Sequence, residues 1–131
     1  MKILFVCNTN ADNSQIAEAF FNNLSKKHKA SSAGIKPRNQ GFPLALLREA
    51  NLIKDTLKED GIDIGNQMVK SLNSEMIKES DLIVVMTEPS SWPKELGLYS
   101  KVVRWQVDQF KDRLDIKKIK DLVENFVKEV G

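Results

Sequence analysis

The only cysteine among the 131 residues, Cys7, stands where an apolar run ends. Lys2-Ile3-Leu4-Phe5-Val6 leads into Cys7-Asn8-Thr9-Asn10-Ala11-Asp12-Asn13-Ser14, and helical spacing begins directly afterwards. A thiol in that position faces the backbone N–H groups of a polar loop and a helix start. Such groups bind anions and stabilise the thiolate, which is the nucleophilic form. A hydroxyl at Ser14 can donate to the sulfur and lower its pKa further. The predicted chemistry is nucleophilic attack by Cys7, with Asn8, Thr9, Asn10, Ala11, Asp12 and Asn13 as an anion-binding loop. The plainer alternative makes Cys7 a small buried apolar side chain closing a core strand.

Composition narrows what surrounds this loop. Hydrophobic residues make up 41% of the chain and charged ones 29%, which supports one core and argues against global disorder. Twenty Lys+Arg against 18 Asp+Glu leave a formal charge of +2, no electrostatic basis for nucleic-acid or membrane-surface binding. One cysteine excludes an internal disulfide and a CxxC pair, and a single histidine, His28, argues against a His-based metal site or a Ser-His-Asp triad. Ile3 to Val6 is too short for a signal-peptide core, and no stretch approaches the roughly 18 apolar residues of a membrane span. A cytoplasmic single-domain protein over residues 1–131 is expected, and nothing calls for a metal or an organic cofactor.

The elements that must hold the loop follow from periodicity. Short apolar runs alternate with helical segments, the pattern of a parallel α/β sheet. Strands are predicted at Lys2 to Val6, Lys29 to Gly34, Leu82 to Met86 and Lys101 to Trp105. A helix is predicted from about Ser14 to Lys27, with Ile16, Ala17, Phe20, Phe21 and Leu24 inward. A long helix opens at Pro43, with Leu46, Ala50, Ile53 and Leu57 at helical spacing, and stops at Gly61. Asn73 and Ser74 cap a short helix. An amphipathic tail carries Ile116, Ile119, Leu122, Val123, Phe126 and Val130. Right-handed crossovers bring four loops to one sheet edge, where α/β proteins bind ligands: Cys7 to Asn13, Ile35 to Gly41, Thr87 to Trp92, and Gln106 to Lys111. The glycine-free first loop excludes a dinucleotide fingerprint.

Cys7, Asn10, Ser14 and the run Gln15 to Glu18 resemble the loop of low-molecular-weight protein tyrosine phosphatases and the thioredoxin-coupled arsenate reductases that share their fold. Ser32-Ala33-Gly34, Gly61-Ile62-Asp63-Ile64, the Asp81 to Met86 strand and Trp105 extend the match over nearly the whole chain, apart from a longer segment around Leu46 to Lys54. The resemblance implies a three-layer sandwich with a four-stranded parallel sheet, and phosphomonoester hydrolysis through a phosphocysteine on Cys7. It implies a phosphate-like anion or phosphorylated substrate as the binding partner.

Two positions depart from the family pattern. The loop arginine is replaced by Asn13, which lacks the charge and the bidentate fork that match phosphate. The aspartate-proline motif of the general acid is replaced by Gln109-Phe110. Asn13 is a capping residue type, expected to accept from an N–H two or three residues on, and Asp12 adds a negative charge to the loop. Lys36 and Arg38 are candidate compensating cations. Asp108, beside the vacated slot, is the candidate general acid. Glu88 and Trp92 are candidate pocket-wall residues, with Trp92 equally able to cap the core. Thr87 stands where the reductases carry a relay cysteine, so no thiol relay within the chain exists. Weakened or altered phosphatase chemistry is thus expected. The alternatives are a non-catalytic anion- or partner-binding relative and a phosphocysteine carrier resembling sugar-transport IIB components.

Overall fold

The computed structural model describes residues Met1–Gly131. Four strands, β1 (Lys2–Cys7), β2 (Lys29–Gly34), β3 (Leu82–Val85) and β4 (Val102–Arg104), form one parallel sheet in the order β2-β1-β3-β4. Central β1 is apolar on both faces because each face meets helices. Ile3 and Phe5 enter a core with Ile16, Phe20 and Phe21 of α1 (Asn13–Leu24), Ile53 and Leu57 of α2 (Asn51–Glu59), and Ile116, Ile119 and Val123 of α5 (Arg113–Val130). Leu4 and Val6 face the other way, against Ile77 of α3 (Ser74–Glu79) and Leu96 of α4 (Lys94–Leu98). The result is a three-layer α/β/α sandwich, as expected. Phe5, Trp105 and Phe126 pack together with ring centroids 5.5–6.1 Å apart, which ties β1, β4 and α5 below the site.

Several boundaries differ from expectation. The segment after Pro43 is not one long helix: 3₁₀ turns at Leu44–Leu46 and Arg48–Ala50 precede α2. Leu44, Leu47 and Ala50 are buried at a spacing of three, which 3₁₀ geometry brings to one side, while Leu46 is 69% exposed. α1 stops at Leu24 instead of Lys27, because Ser25 turns extended and its hydroxyl accepts the N–H of His28. Leu24 and Leu122 lie at the surface margin of their helices instead of in the core. The short α4 carries too few turns to announce itself in the sequence. Asn73 caps α3 as expected, accepting from the Met76 N–H at 2.9 Å. No helix is long and apolar enough to cross a membrane.

Candidate active site

β1 runs between β2 and β3, so its last residue, Cys7, emerges at the centre of the carboxyl edge. Gly34 ends the neighbouring β2, and a Cβ there would lie 2.8 Å from Asn8 O and 3.0 Å from Asn10 N. Only glycine lets the Cys7–Asp12 loop rest this closely on β2.

The loop is shaped by Asn10, which holds a left-handed φ of 56° and is wholly buried. Its N–H donates to Cys7 Sγ at 3.3 Å. Its Nδ2 donates to Ser14 Oγ at 2.8 Å and Ser32 Oγ at 2.9 Å. Its Oδ1 accepts from Gln15 Nε2 at 3.0 Å and from the Lys70 N–H at 2.8 Å. With its oxygen accepting from Asn10, the Ser14 hydroxyl is free to point its hydrogen at Cys7 Sγ, 3.0 Å away. Ser32 donates onward to Glu18 Oε1 at 2.7 Å, and Glu18 faces Lys70 Nζ at 3.8 Å. Burial raises the Glu18 pKa against the pull of Lys70 and lowers that of Lys70 against the pull of Glu18.

The electrostatics of Cys7 differ from the expected stabilised thiolate. Cys7 is 3% exposed, and burial pushes its thiol pKa up. The Asp12 carboxylate, whose Oδ1 lies 3.8 Å from the sulfur, pushes it further. The Ser14 hydroxyl and the N–H groups of Ser14 and Asn10 pull the other way and do not prevail. Burial raises the Asp12 carboxyl as well, opposed by the Asn13 N–H.

Asn13 is not the helix cap its type suggested. Asp12 takes that position, and its Oδ1 accepts from the Asn13 N–H at 2.5 Å. Asn13 begins the helix, donates from Nδ2 to the Asp108 carbonyl oxygen at 3.1 Å, and leaves Oδ1 buried without a partner.

Above the sulfur opens a cleft of about 510 Å³, lined from three of the four loops singled out by topology. Asn8, Thr9, Asp12 and Asn13 come from the first, Thr87, Glu88 and Ser91 from the loop after β3, and Gln106, Asp108, Gln109 and Phe110 from the loop after β4. Ala11 is buried beneath, and its N–H donates to Thr9 Oγ1. Asp108 is exposed at the cleft wall. The fourth loop, Ile35 to Gly41, contributes nothing to the lining, so the candidate compensating cations Lys36 and Arg38 stand outside the cleft, exposed. Arg38 is still near enough for its charge to be felt at Asp12. The cation that lines the cleft is Arg104, the last residue of β4, paired with Glu88 at 3.0 Å. Sequence reasoning missed it because only strand order brings that residue to the site. Trp92 packs on the core and donates to the Thr87 carbonyl instead of forming the wall. His28 lies far from this edge, held by the N-terminal amine and the Val130 carbonyl. No group of three or more His, Cys, Asp or Glu is placed to hold a metal ion.

Comparison with known proteins adds context to this geometry. A family model described as low molecular weight phosphotyrosine protein phosphatase matches residues 2–129. The chain is similar to a low molecular weight protein tyrosine phosphatase from T. tengcongensis, with 27% identity, 98% of this chain and 99% of that one covered, and a TM-score of 0.78. It is similar to a mutant of YwlE from Bacillus subtilis, at 25% identity over 99% and 95% of the chains, with a TM-score of 0.76. It is also similar to an arsenate reductase from Archaeoglobus fulgidus, at 28% identity over 98% and 97%, with a TM-score of 0.68.

Proposed function

Because the chain belongs to the low molecular weight phosphotyrosine protein phosphatase family, we propose that Cys7 is the nucleophile of a phosphomonoester hydrolase whose anion binding is weakened by Asp12 and Asn13. The observation that carries this reading is the retained cradle of the sulfur, with the Ser14 hydroxyl at 3.0 Å and the Asn10 N–H at 3.3 Å. Both stabilise developing thiolate and survive the loss of the arginine.

In this reading the thiol gives its proton to water, helped by the Ser14 hydroxyl and the Asn10 N–H and opposed by the Asp12 carboxylate. Sγ then attacks phosphorus, the S–P bond forms and the ester P–O bond breaks, and Asp108 gives its proton to the leaving oxygen. Water next attacks the phosphocysteine, giving a proton to Asp108 and freeing inorganic phosphate and the thiolate. The loop from Asn8 to Asn13 offers only neutral N–H donors to the phosphoryl oxygens, and Arg104 is the nearest lining cation. Absence of a charged donor at Asn13 costs at least the ~10²–10³ in rate associated with one oxyanion-hole group.

Hydrolysis of a small aryl phosphate, followed from mildly acidic to mildly alkaline pH, tests this. The natural protein is expected to turn over slowly, Cys7→Ser not at all, Asp12→Asn faster, and Asn13→Arg faster by about 10². A second, non-catalytic reading is favoured by one contact: Asp12 already occupies the Asn13 N–H that an oxyanion needs. Silence from the natural protein and from all three variants supports that reading and refutes hydrolysis. Accumulation of a stable phosphocysteine without release of phosphate points instead to a carrier.

A further inference from the structure

Two donors suited to an anion stand around Cys7, and each is held by one of the chain's own carboxylates. The Asn13 N–H gives to Asp12 Oδ1 at 2.5 Å, and the Arg104 guanidinium meets Glu88 Oε1 at 3.0 Å. The two holds differ in kind. Asp12 is the neighbour of Asn13 in sequence and caps the helix there, so it cannot leave without undoing the cap. Glu88 comes from a different loop, and its side chain is 74% exposed.

Arg104 is also placed to reach the sulfur. The strand register sets Val6, Val85 and Arg104 in one row across the sheet. With strands about 4.8 Å apart, the Arg104 Cα stands roughly 10 Å from that of Val6, the residue before Cys7. An arginine side chain and a phosphoryl group seated over the sulfur together span that gap, and Cys7 and Arg104 line the same cleft. No other cation lines it: Lys36 and Arg38 stand outside, and Lys70 is paired with Glu18.

We propose that Arg104 is the cation that binds the phosphoryl group in this site, and that Glu88 is an internal stand-in which the substrate displaces. This rests on the reading of Cys7 as nucleophile of a phosphomonoester hydrolase, and it supplies the charge that the loop lacks at Asn13. The guanidinium fork matches two phosphoryl oxygens as it matches a carboxylate, so the two ligands compete for it. A phosphoryl dianion brings more charge than Glu88, and an ion pair this exposed is weak. Once displaced, the Glu88 carboxylate turns to solvent, and the exchange needs side-chain rotation alone.

The test is an NMR titration of ¹⁵N-labelled protein with inorganic phosphate near neutral pH, read beside aryl phosphate kinetics on the same samples. Saturable shifts at residues 8–14, Glu88 and Arg104 are expected. Arg104→Met is expected to weaken phosphate binding and raise KM at least about tenfold, what a hydrogen bond to a charged group is worth, with part of the loss recovered in Arg104→Lys. Glu88→Gln is expected to tighten phosphate binding by about two- to fivefold, the strength of an exposed ion pair. A purely structural pair predicts the opposite sign for Glu88→Gln, so weaker binding in both Arg104→Met and Glu88→Gln overturns the proposal. Phosphate binding indifferent to Arg104→Met, or absent from the natural protein and Glu88→Gln alike, overturns it too. Cys7-dependent turnover that ignores Arg104→Met overturns only the role of Arg104. Arg104-dependent phosphate binding without turnover upholds that role and overturns only the hydrolase.

Discussion

Replacing Asn10 tests whether one buried side chain holds the Cys7 loop in shape. Its amide makes four hydrogen bonds, to Ser14, Ser32, Gln15 and the Lys70 N–H, at 2.8–3.0 Å. At about 0.5–1.5 kcal/mol net each, removing them costs roughly 2–6 kcal/mol. Gln15 Nε2 keeps a second partner in the Met68 carbonyl, and both serine hydroxyls keep one, which favours the middle of that range. The φ of 56° adds about 1 kcal/mol for alanine but not for glycine. Asn10→Gly is therefore expected to lose about 4 kcal/mol and Asn10→Ala about 5 kcal/mol, a large share of the roughly 5–15 kcal/mol that holds such a domain together. Urea unfolding followed by circular dichroism reads this directly: with a slope of about 1.5 kcal/mol/M, the Asn10→Gly midpoint falls by about 2.5 M. A loss below about 1.5 kcal/mol for Asn10→Ala refutes the network, since that is what one ordinary hydrogen bond is worth. An Asn10→Gly variant no more stable than Asn10→Ala refutes the conformational part.

Three further predictions concern the same loop. Gly34→Ala drives a Cβ against the backbone of Asn8 and Asn10, so a loss of about 1–3 kcal/mol in urea unfolding is expected, and an unchanged midpoint contradicts the close approach. The Asp12 carboxyl holds its proton more tightly folded than unfolded, so its ionisation weakens folding as pH rises from the ordinary carboxylate value through the raised one, and folding stays weakened above it. Asp12→Asn should accordingly stabilise the protein at neutral pH and lose that advantage below the ordinary carboxylate pKa; an equal effect at both pH values contradicts the cause assigned. Iodoacetamide should alkylate Cys7 in the native protein on the order of tenfold more slowly than a free thiol at neutral pH, and Asp12→Asn should speed the reaction.

Much of the scaffold is legible in the sequence for physical reasons. β1 and β3 are buried on both faces, so Ile3 to Val6 and Leu82 to Val85 read as unbroken apolar runs. α1 shows its inner stripe because Ile16, Ala17, Phe20 and Phe21 share one core. The Pro43–Ala50 segment misleads because Leu44, Leu46, Leu47 and Ala50 satisfy both a spacing of three and a helical one, and only packing against α2 and Gly65–Met68 selects the former. At the site, Cys7, Asn10 and Ser14 are identifiable from the loop itself. Asp12 and Asn13 are both capping residue types in adjacent positions; Asp12 caps, while the Asn13 amide turns to the Asp108 carbonyl, 95 residues away in sequence. Arg104 is legible only once strand order is known, and the upward pull on the Cys7 thiol only once burial is known.

The most direct test of the account is to trap the intermediate. The protein would be mixed with an aryl phosphate, quenched in acid within the first turnover, and its peptides analysed by mass spectrometry. A phosphoryl group on Cys7, absent from Cys7→Ala and more abundant in Asp12→Asn, is the predicted result. Turnover with no adduct on Cys7, or an adduct that persists in Cys7→Ala, would contradict the assignment of Cys7 as the nucleophile.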